Sequence, residues 1–308
     1  MIVIREFYRF AWLKGWYNGD LATTTVNETQ DANVPIDKDA FAHTRRGALI
    51  KELDRDLPKI KKGSVVRPFQ ISELRALLNQ LGPRASERGD DARPSRNRLF
   101  CDIAWVVGLR LDEIWQLTTL QFLSMHTDQN QPLVDHHLIV KKGKGSKSRS
   151  VTIPGWLIED AISYINGERT DALKVGNIST KAASTALFLS GVEGNFPGRP
   201  IGHRRLQQIV EDACIAIGLV DIIEFTDSET GEIHLKKIPR HSVHDLRHTF
   251  AAITYHTELQ LGNTEPWKKI QSQLGHAHLS TTIDTYLRHV EIFGEKQRLL
   301  DVRKMIGI

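Results

Sequence analysis

Cysteine is nearly absent: only Cys101 and Cys214 occur in 308 residues, both inside apolar-periodic segments. A single pair is too few to staple a chain of this length, so both read as buried free thiols in a reducing compartment. Long apolar runs are missing too. None approaches the roughly 20 residues that cross a bilayer, and the first residues lack a signal-peptide pattern. Membrane insertion and secretion are excluded on this reading, and a cytoplasmic protein is expected. There is no internal repeat and no low-complexity tract. A nucleotide-binding loop is excluded as well: five residues before Gly143, where that loop needs glycine, stands Leu138.

What is present is ordinary in bulk. Hydrophobic residues make up 40% and charged residues 25%, enough for one large or two ordinary domains with ample core. The net charge is only +4 with a sequence pI near 9.0, a weak lean towards a polyanionic partner.

In chain order, residues 1–18 read as an amphipathic helix with Ile4, Phe7, Tyr8, Ala11 and Trp12 on one side. Residues 20–39 are polar and aperiodic, a loop or insertion, and helical character returns over 38–57 before the basic linker Lys59, Lys61 and Lys62. Ser72 is expected to cap a helix carrying Leu74, Leu77, Leu78 and Leu81, stopped by Gly82-Pro83. Residues 84–98 read as a mixed-charge loop, followed by a buried helix (Leu99, Phe100, Ile103, Val106, Val107) that ends at Gly108. Arg110 follows at the turn into a short helix over 112–117. Short β-type runs at 137–140 and 151–153 flank Lys141, Lys142, Gly143, Lys144, Gly145, Ser146 and Lys147, which makes a hairpin with lysines at its tip. Helices are expected over 156–166 and 202–217, the second opening with His203, Arg204 and Arg205, and a hairpin over 222–236 turning at Asp227–Gly231.

Residues 241–289 hold the densest chemistry. Val243, Leu246, Phe250 and Ile253 form one apolar helical stripe, with His244 and Arg247 neighbours beside it. A second helix with Trp267, Ile270 and Leu274 should stop at Gly275, leaving His276 just past its end, and Ser280 is expected to cap a third helix bearing Tyr286. Arginine, two histidines and a tyrosine near helix ends make a cationic cup facing a hydroxyl, which suits a phosphate. His244 and His248 stand four apart like helical zinc ligands, yet the glutamate of that pattern is missing and Arg247 lies between them, so no metal is expected.

With these residues in view the chain resembles the tyrosine recombinase (phage integrase) family. Four motifs agree in the family's order. They are Ala104, Gly108, Arg110, Glu113 and Leu117; the hairpin Gly143-Lys144-Gly145-Ser146-Lys147; His244, Arg247 and His248; and Leu274-Gly275-His276 with Tyr286. The resemblance covers about residues 66–300. It implies a mainly α fold with a small antiparallel β-sheet (α+β), an integrase-like catalytic domain over 66–308, and an N-terminal segment 1–65 that is the remnant of a core-binding domain plus linker.

The resemblance also implies a site-specific DNA recombinase that cleaves and rejoins strands through a covalent 3′-phosphotyrosyl intermediate, without cofactor, metal or ATP. Tyr286 is then the nucleophile, and Arg110 and Arg247 grip the non-bridging phosphate oxygens. Lys144 protonates the departing 5′ oxygen, His244 accepts the tyrosine proton, and His276 donates to the phosphate. Glu113 buttresses the site; His241, His248 and His278 receive no catalytic role. Lys142, Lys147, Arg204 and Arg205 are expected to contact DNA. The implied partner is double-stranded DNA, bound by a homo-oligomer (a tetramer), with the protein at the nucleoid. The competing readings are a type IB topoisomerase, which shares the chemistry, and a DNA-binding module with a vestigial site.

Overall fold

Leucines at helical spacing make the first element that the structure shows. In this computed structural model, which describes residues 67–142, 146–226, 233–283 and 285–286, Leu74, Leu77, Leu78 and Leu81 form the buried face of α1 (Ile71–Leu81). Its start differs from expectation. The Gln70 N–H, not a group next to Ser72, is taken up by the Glu73 carboxylate at 2.9 Å, so the helix begins a residue before Ser72. The readings for residues 1–65 lie outside the described residues.

The stretch over 84–98 is more ordered than its composition suggests. A short 3-10 turn (Ala85–Glu87) leads to α2 (Ser95–Asp102), and its charges are buried and paired. Arg98 bonds Asp102 at 2.8 Å, Arg96 donates to the Leu189 carbonyl at 2.7 Å, and Ser95 Oγ donates to Glu168 at 2.7 Å. These partners lie up to 93 residues away in sequence, beyond local periodicity. The helix continues as a π-helical turn (Ile103–Val107) and breaks at Gly108, whose φ of 73° is left-handed.

Two short helices follow: α3 (Leu111–Trp115) and α4 (Thr119–Leu123), the latter not foreseen. Strands β1 (Asp135–Lys142) and β2 (Ser146–Pro154) pair antiparallel with Leu138 opposite Val151 and Lys142 opposite Ser146. Leu138, Val140, Val151 and Ile153 face the core, so alternation sets the register. Next come α5 (Gly155–Asn166), α6 (Glu168–Val175) and α7 (His203–Ala216). Then β3 (Val220–Thr226) and β4 (Ile233–Pro239) form a second antiparallel pair. The fold is therefore mainly α with two separate two-stranded sheets among the described residues rather than one.

Helices α8 (Val243–Gln260) and α9 (Pro266–Leu274) close the described chain, with residues 279–283 and 285–286 helical beyond them. Ser280 lies inside that last helix instead of capping it. The main core gathers Leu74 and Leu77 of α1, Leu99 and Phe100 of α2, Leu157 and Ile158 of α5, Leu206 and Val210 of α7, and Leu246 of α8. A smaller cluster of Phe250, Ala251, Ile270, Leu274 and Tyr286 joins α8, α9 and the last helix. Helix α8 packs on both the π-helical turn and α9, which brings two helix ends to one place.

Candidate active site

Those two helix ends hold Arg247. A helix leaves its last carbonyls without partners, and they carry partial negative charge. Arg247 Nη1 donates to the Gly108 carbonyl at 2.5 Å, and Nη2 to the Leu274 carbonyl at 2.7 Å. The residue is 1% exposed, and burial followed by the charge of Arg110 draws its pKa down to about 10, still cationic at neutral pH. Both carbonyls sit beside left-handed glycines, Gly108 (φ 73°) and Gly275 (φ 66°). At Gly108 space also demands glycine, because a Cβ would lie 2.5 Å from the Phe250 ring.

Arg110 stands at the N-terminus of α3, two residues past the Gly108 break, with its side chain 36% exposed. Glu113, 3% exposed, accepts the Arg110 backbone N–H at 2.9 Å and its Nη1 at 3.2 Å. Arg149 of β2 reaches the same carboxylate with both amino groups, Nη2 at 3.0 Å, and Arg247 Nη1 lies 4.0 Å from it. Burial pushes the Glu113 pKa up, but the bonds from Arg149 and the Arg110 N–H outweigh it and hold the carboxyl below its ordinary value. Three guanidinium groups thus share one carboxylate, and the cluster keeps net positive charge.

The histidines and Tyr286 complete the cup. His276 Nε2 lies 3.3 Å from Arg247 Nη2, and its Nδ1 lies 2.9 Å from Thr282 Oγ1. Since arginine only donates, Nε2 accepts and the ring proton sits on Nδ1. Burial first, then Arg247, Arg110 and Arg149, bring the His276 pKa to about 4, so the ring is neutral at neutral pH. The Tyr286 ring lies parallel to His276, 2° between planes and 6.2 Å between centroids, and is 1% exposed. Burial raises the phenol pKa while Arg247 and Arg110 oppose the rise. His244, exposed on α8, feels partial desolvation and the charges of Arg247 and Arg110, with its pKa lowered in consequence.

Of the residues singled out from sequence, Arg110, His244, Arg247, His276 and Tyr286 come together here. Lys144 lies outside the described residues, as do the side chains of Lys142 and Lys147 at the ends of β1 and β2. Arg204 and Arg205 are exposed on α7, paired with Glu211 at 3.2 Å and Asp212 at 2.9 Å.

Two neighbours of the site had no role on sequence grounds. His248, 3% exposed, places Nδ1 3.1 Å from the Tyr286 hydroxyl, and its ring meets His244 edge-on at 4.5 Å. Arg149 had a signal in the strand pattern: it shares the inward face of β2 with Val151 and Ile153, where a cation must find a partner. His248 stood in the third of the four motifs, but nothing local in the sequence pointed it at Tyr286.

An arginine pair and a buried phenol in one cationic cup are equipment for holding a phosphate against a hydroxyl nucleophile. The chain belongs to the phage integrase family, whose sequence pattern matches residues 66–291. It is similar to tyrosine recombinase XerD of Staphylococcus haemolyticus, 26% identical over 191 residues that make up 61% of this chain and 48% of that protein. It is also similar to tyrosine recombinase XerC of Natranaerobius thermophilus, 27% identical over 214 residues, 70% of this chain and 56% of that one. The chain thus spans about half the length of these curated relatives. Among solved structures, that of XerA recombinase aligns over 84% of this chain and 81% of its own, with a TM-score of 0.45 and 18% identity.

Proposed function

We propose that this chain is a site-specific DNA recombinase that cuts and rejoins strands through a 3′-phosphotyrosyl link on Tyr286. One observation carries the reading: a buried tyrosine shares a cup with Arg247, which two helix ends hold in place, and with Arg110 and His276. Membership of the family supports it.

In the proposed reaction the scissile phosphate enters between Arg110 and Arg247. Their forks match its non-bridging oxygens and stay charged. Tyr286 oxygen bonds phosphorus while the bond to the 5′ oxygen breaks. The phenolic proton passes to His244, and Lys144 supplies a proton to the leaving oxygen. Preorganised donors of this kind are worth roughly 3–4 kcal/mol each in other enzymes. The incoming phosphate charge raises the His276 pKa, which turns that ring from Arg247's acceptor into a donor to the phosphate. Rejoining reverses each step: a DNA 5′ hydroxyl displaces the phenol, so the phosphotyrosyl bond conserves the energy of cleavage and no ATP is used.

The finer assignments belong to the same proposal. Residues 66–308 act as the catalytic domain, with 1–65 a separate N-terminal segment that contributes to holding DNA; the start of the family match at residue 66 supports that division. Double-stranded DNA is the substrate, held by a homo-oligomer (a tetramer) at the nucleoid. Lys142, Lys147, Arg204 and Arg205 contact its backbone.

The experiment is covalent capture. Wild-type protein is incubated with a pool of nicked, randomised duplexes, and SDS-resistant protein–DNA adducts are recovered and sequenced. Adducts are expected with wild type and none with Tyr286→Phe. Undiminished adducts with the phenylalanine variant overturn the nucleophile assignment. Loss of adducts in excess EDTA overturns the metal-free mechanism.

A further inference from the structure

We propose that Arg149 is a positioning residue: it takes up the charge of Glu113 so that Arg110 and Arg247 stay available to the DNA phosphate. The inference rests on the reading above that those two arginines grip that phosphate.

The problem Arg149 addresses is visible in the distances. Glu113 is buried, bonds Arg110 Nη1 at 3.2 Å and stands 4.0 Å from Arg247 Nη1. A carboxylate so placed competes with an incoming phosphate for the same guanidinium protons. From β2, Arg149 faces both Glu113 oxygens, Nη1 on Oε1 and Nη2 on Oε2, the two-pronged geometry in which a carboxylate is best neutralised. Three guanidinium groups against one carboxylate leave the cluster two charges positive; without Arg149 it keeps one, and the carboxylate turns wholly to Arg110 and Arg247.

Arg149 is itself held on three sides. Its Nη2 also donates to the Gln273 carbonyl at 3.3 Å, and its Cδ and Nε lie over Gly275, where a Cβ would come within 2.8 Å. Gln273 in turn pins β2, accepting the Thr152 N–H at 2.9 Å and donating to the Thr152 carbonyl at 2.6 Å. The packing has a cost. Arg149 Nε is buried and has no acceptor among the described residues, which a purely stabilising ion pair would avoid. The same charge also bears on His276, whose pKa it helps lower. The bland alternative is that Arg149 only ties β2 to α3 and α9, in which case its loss loosens the fold and the reaction together.

The test uses the full chain and a duplex recovered from the randomised pool, carrying either the natural phosphodiester or a neutral methylphosphonate at the cut bond. On the phosphodiester, Arg149→Met is expected to slow adduct formation about a hundredfold, and adding Glu113→Gln to restore at least about tenfold, because the competing charge is gone. On the methylphosphonate, where no anion needs gripping, Arg149→Met should cost less than about tenfold. Arg149→Lys, charged but without the fork, should fall between wild type and Arg149→Met. The proposal is overturned if the double variant is no faster than Arg149→Met, or if both substrates slow equally. A fold defect in Arg149→Met, seen by thermal denaturation, moves the test to Arg149→Lys with and without Glu113→Gln, read the same way. Adducts with wild type alongside an unaffected Arg149→Met refute only this inference; no adducts with wild type on any duplex refute the recombinase reading and this inference with it.

Discussion

The Tyr286 hydroxyl meets Nδ1 of His248 at 3.1 Å, in a pocket where both residues are at most 3% exposed. The phenol is therefore fixed at its oxygen by α8, while its ring lies parallel to His276. Replacing His248 by phenylalanine removes one partner of a buried hydroxyl that Arg247 also bonds, and loosens its placement. Covalent adducts are expected to form at least about tenfold more slowly, equivalent to about 1.4 kcal/mol of barrier. His248→Asn, which can present an oxygen near the position of Nδ1, should recover part of the rate. Single-turnover kinetics measure both; equal rates for wild type and the phenylalanine variant would dismiss the contact as incidental.

Gly108→Ala tests how Arg247 is held. A side chain at φ 73° is strained, and its Cβ would lie 2.5 Å from Phe250 and 3.0 Å from Leu274. Urea denaturation should show a loss of about 2–4 kcal/mol. Because the same residue's carbonyl receives Arg247, adduct formation should fall by more than the unfolded fraction accounts for.

His276 sets a pH dependence of stability. Its folded pKa is about 4 against an ordinary 6.5, so between those values the unfolded chain binds more protons. Stability attributable to this ring is complete above about 6.5 and is lost as pH falls towards 4. His244, also lowered, acts in the same direction. Denaturation midpoints measured across this range should fall with pH, and more steeply for wild type than for His276→Asn. Parallel curves would contradict it.

Lys144 is assigned to the leaving oxygen. A bridging 5′ sulfur leaves as a thiolate and needs little proton donation, since thiols are far more acidic than alcohols. Lys144→Ala should cleave the ordinary duplex at least about a hundredfold more slowly than wild type, yet approach the wild-type rate on the 5′-thio duplex. An equal defect on both substrates would remove the lysine from that role.

Arg204 and Arg205 are held by carboxylates of their own helix, so DNA contact requires exchange of those partners. If they meet phosphates, alanine at both positions should reduce the slope of log affinity against log salt by about 1.8, at 0.9 per contact. Fluorescence anisotropy across a salt series measures this, and an unchanged slope places both arginines off the DNA.

Much of the fold was legible because it is written in short periods. The leucines of α1, the stripe of α8 and the alternation in β1 and β2 each read as the element the structure contains. Within 84–98 the loop reading holds for 88–94 and fails from Ser95, because Ser95 and Arg96 find their partners at Glu168 and Leu189, across the core. Helix starts shifted for a milder reason. Ser72 and Ser280 have the chemistry of caps, but at α1 the carboxylate of Glu73 takes the Gln70 N–H, and the last helix is under way before Ser280.

By itself the sequence determined the chemical inventory: breaks at Gly108 and Gly275, Arg110 beside the first and Arg247 beside the apolar stripe of α8, and a tyrosine ten residues beyond His276. Tertiary structure alone decided that two helix ends converge on Arg247, that Glu113 is shared by three guanidinium groups, and that His248 touches the phenol. The reason is separation along the chain. Arg247 is 139 residues from the Gly108 carbonyl it binds, and Arg149 is 124 from Gln273. Propensity and periodicity act over a few turns, whereas those pairings exist only once the core has closed.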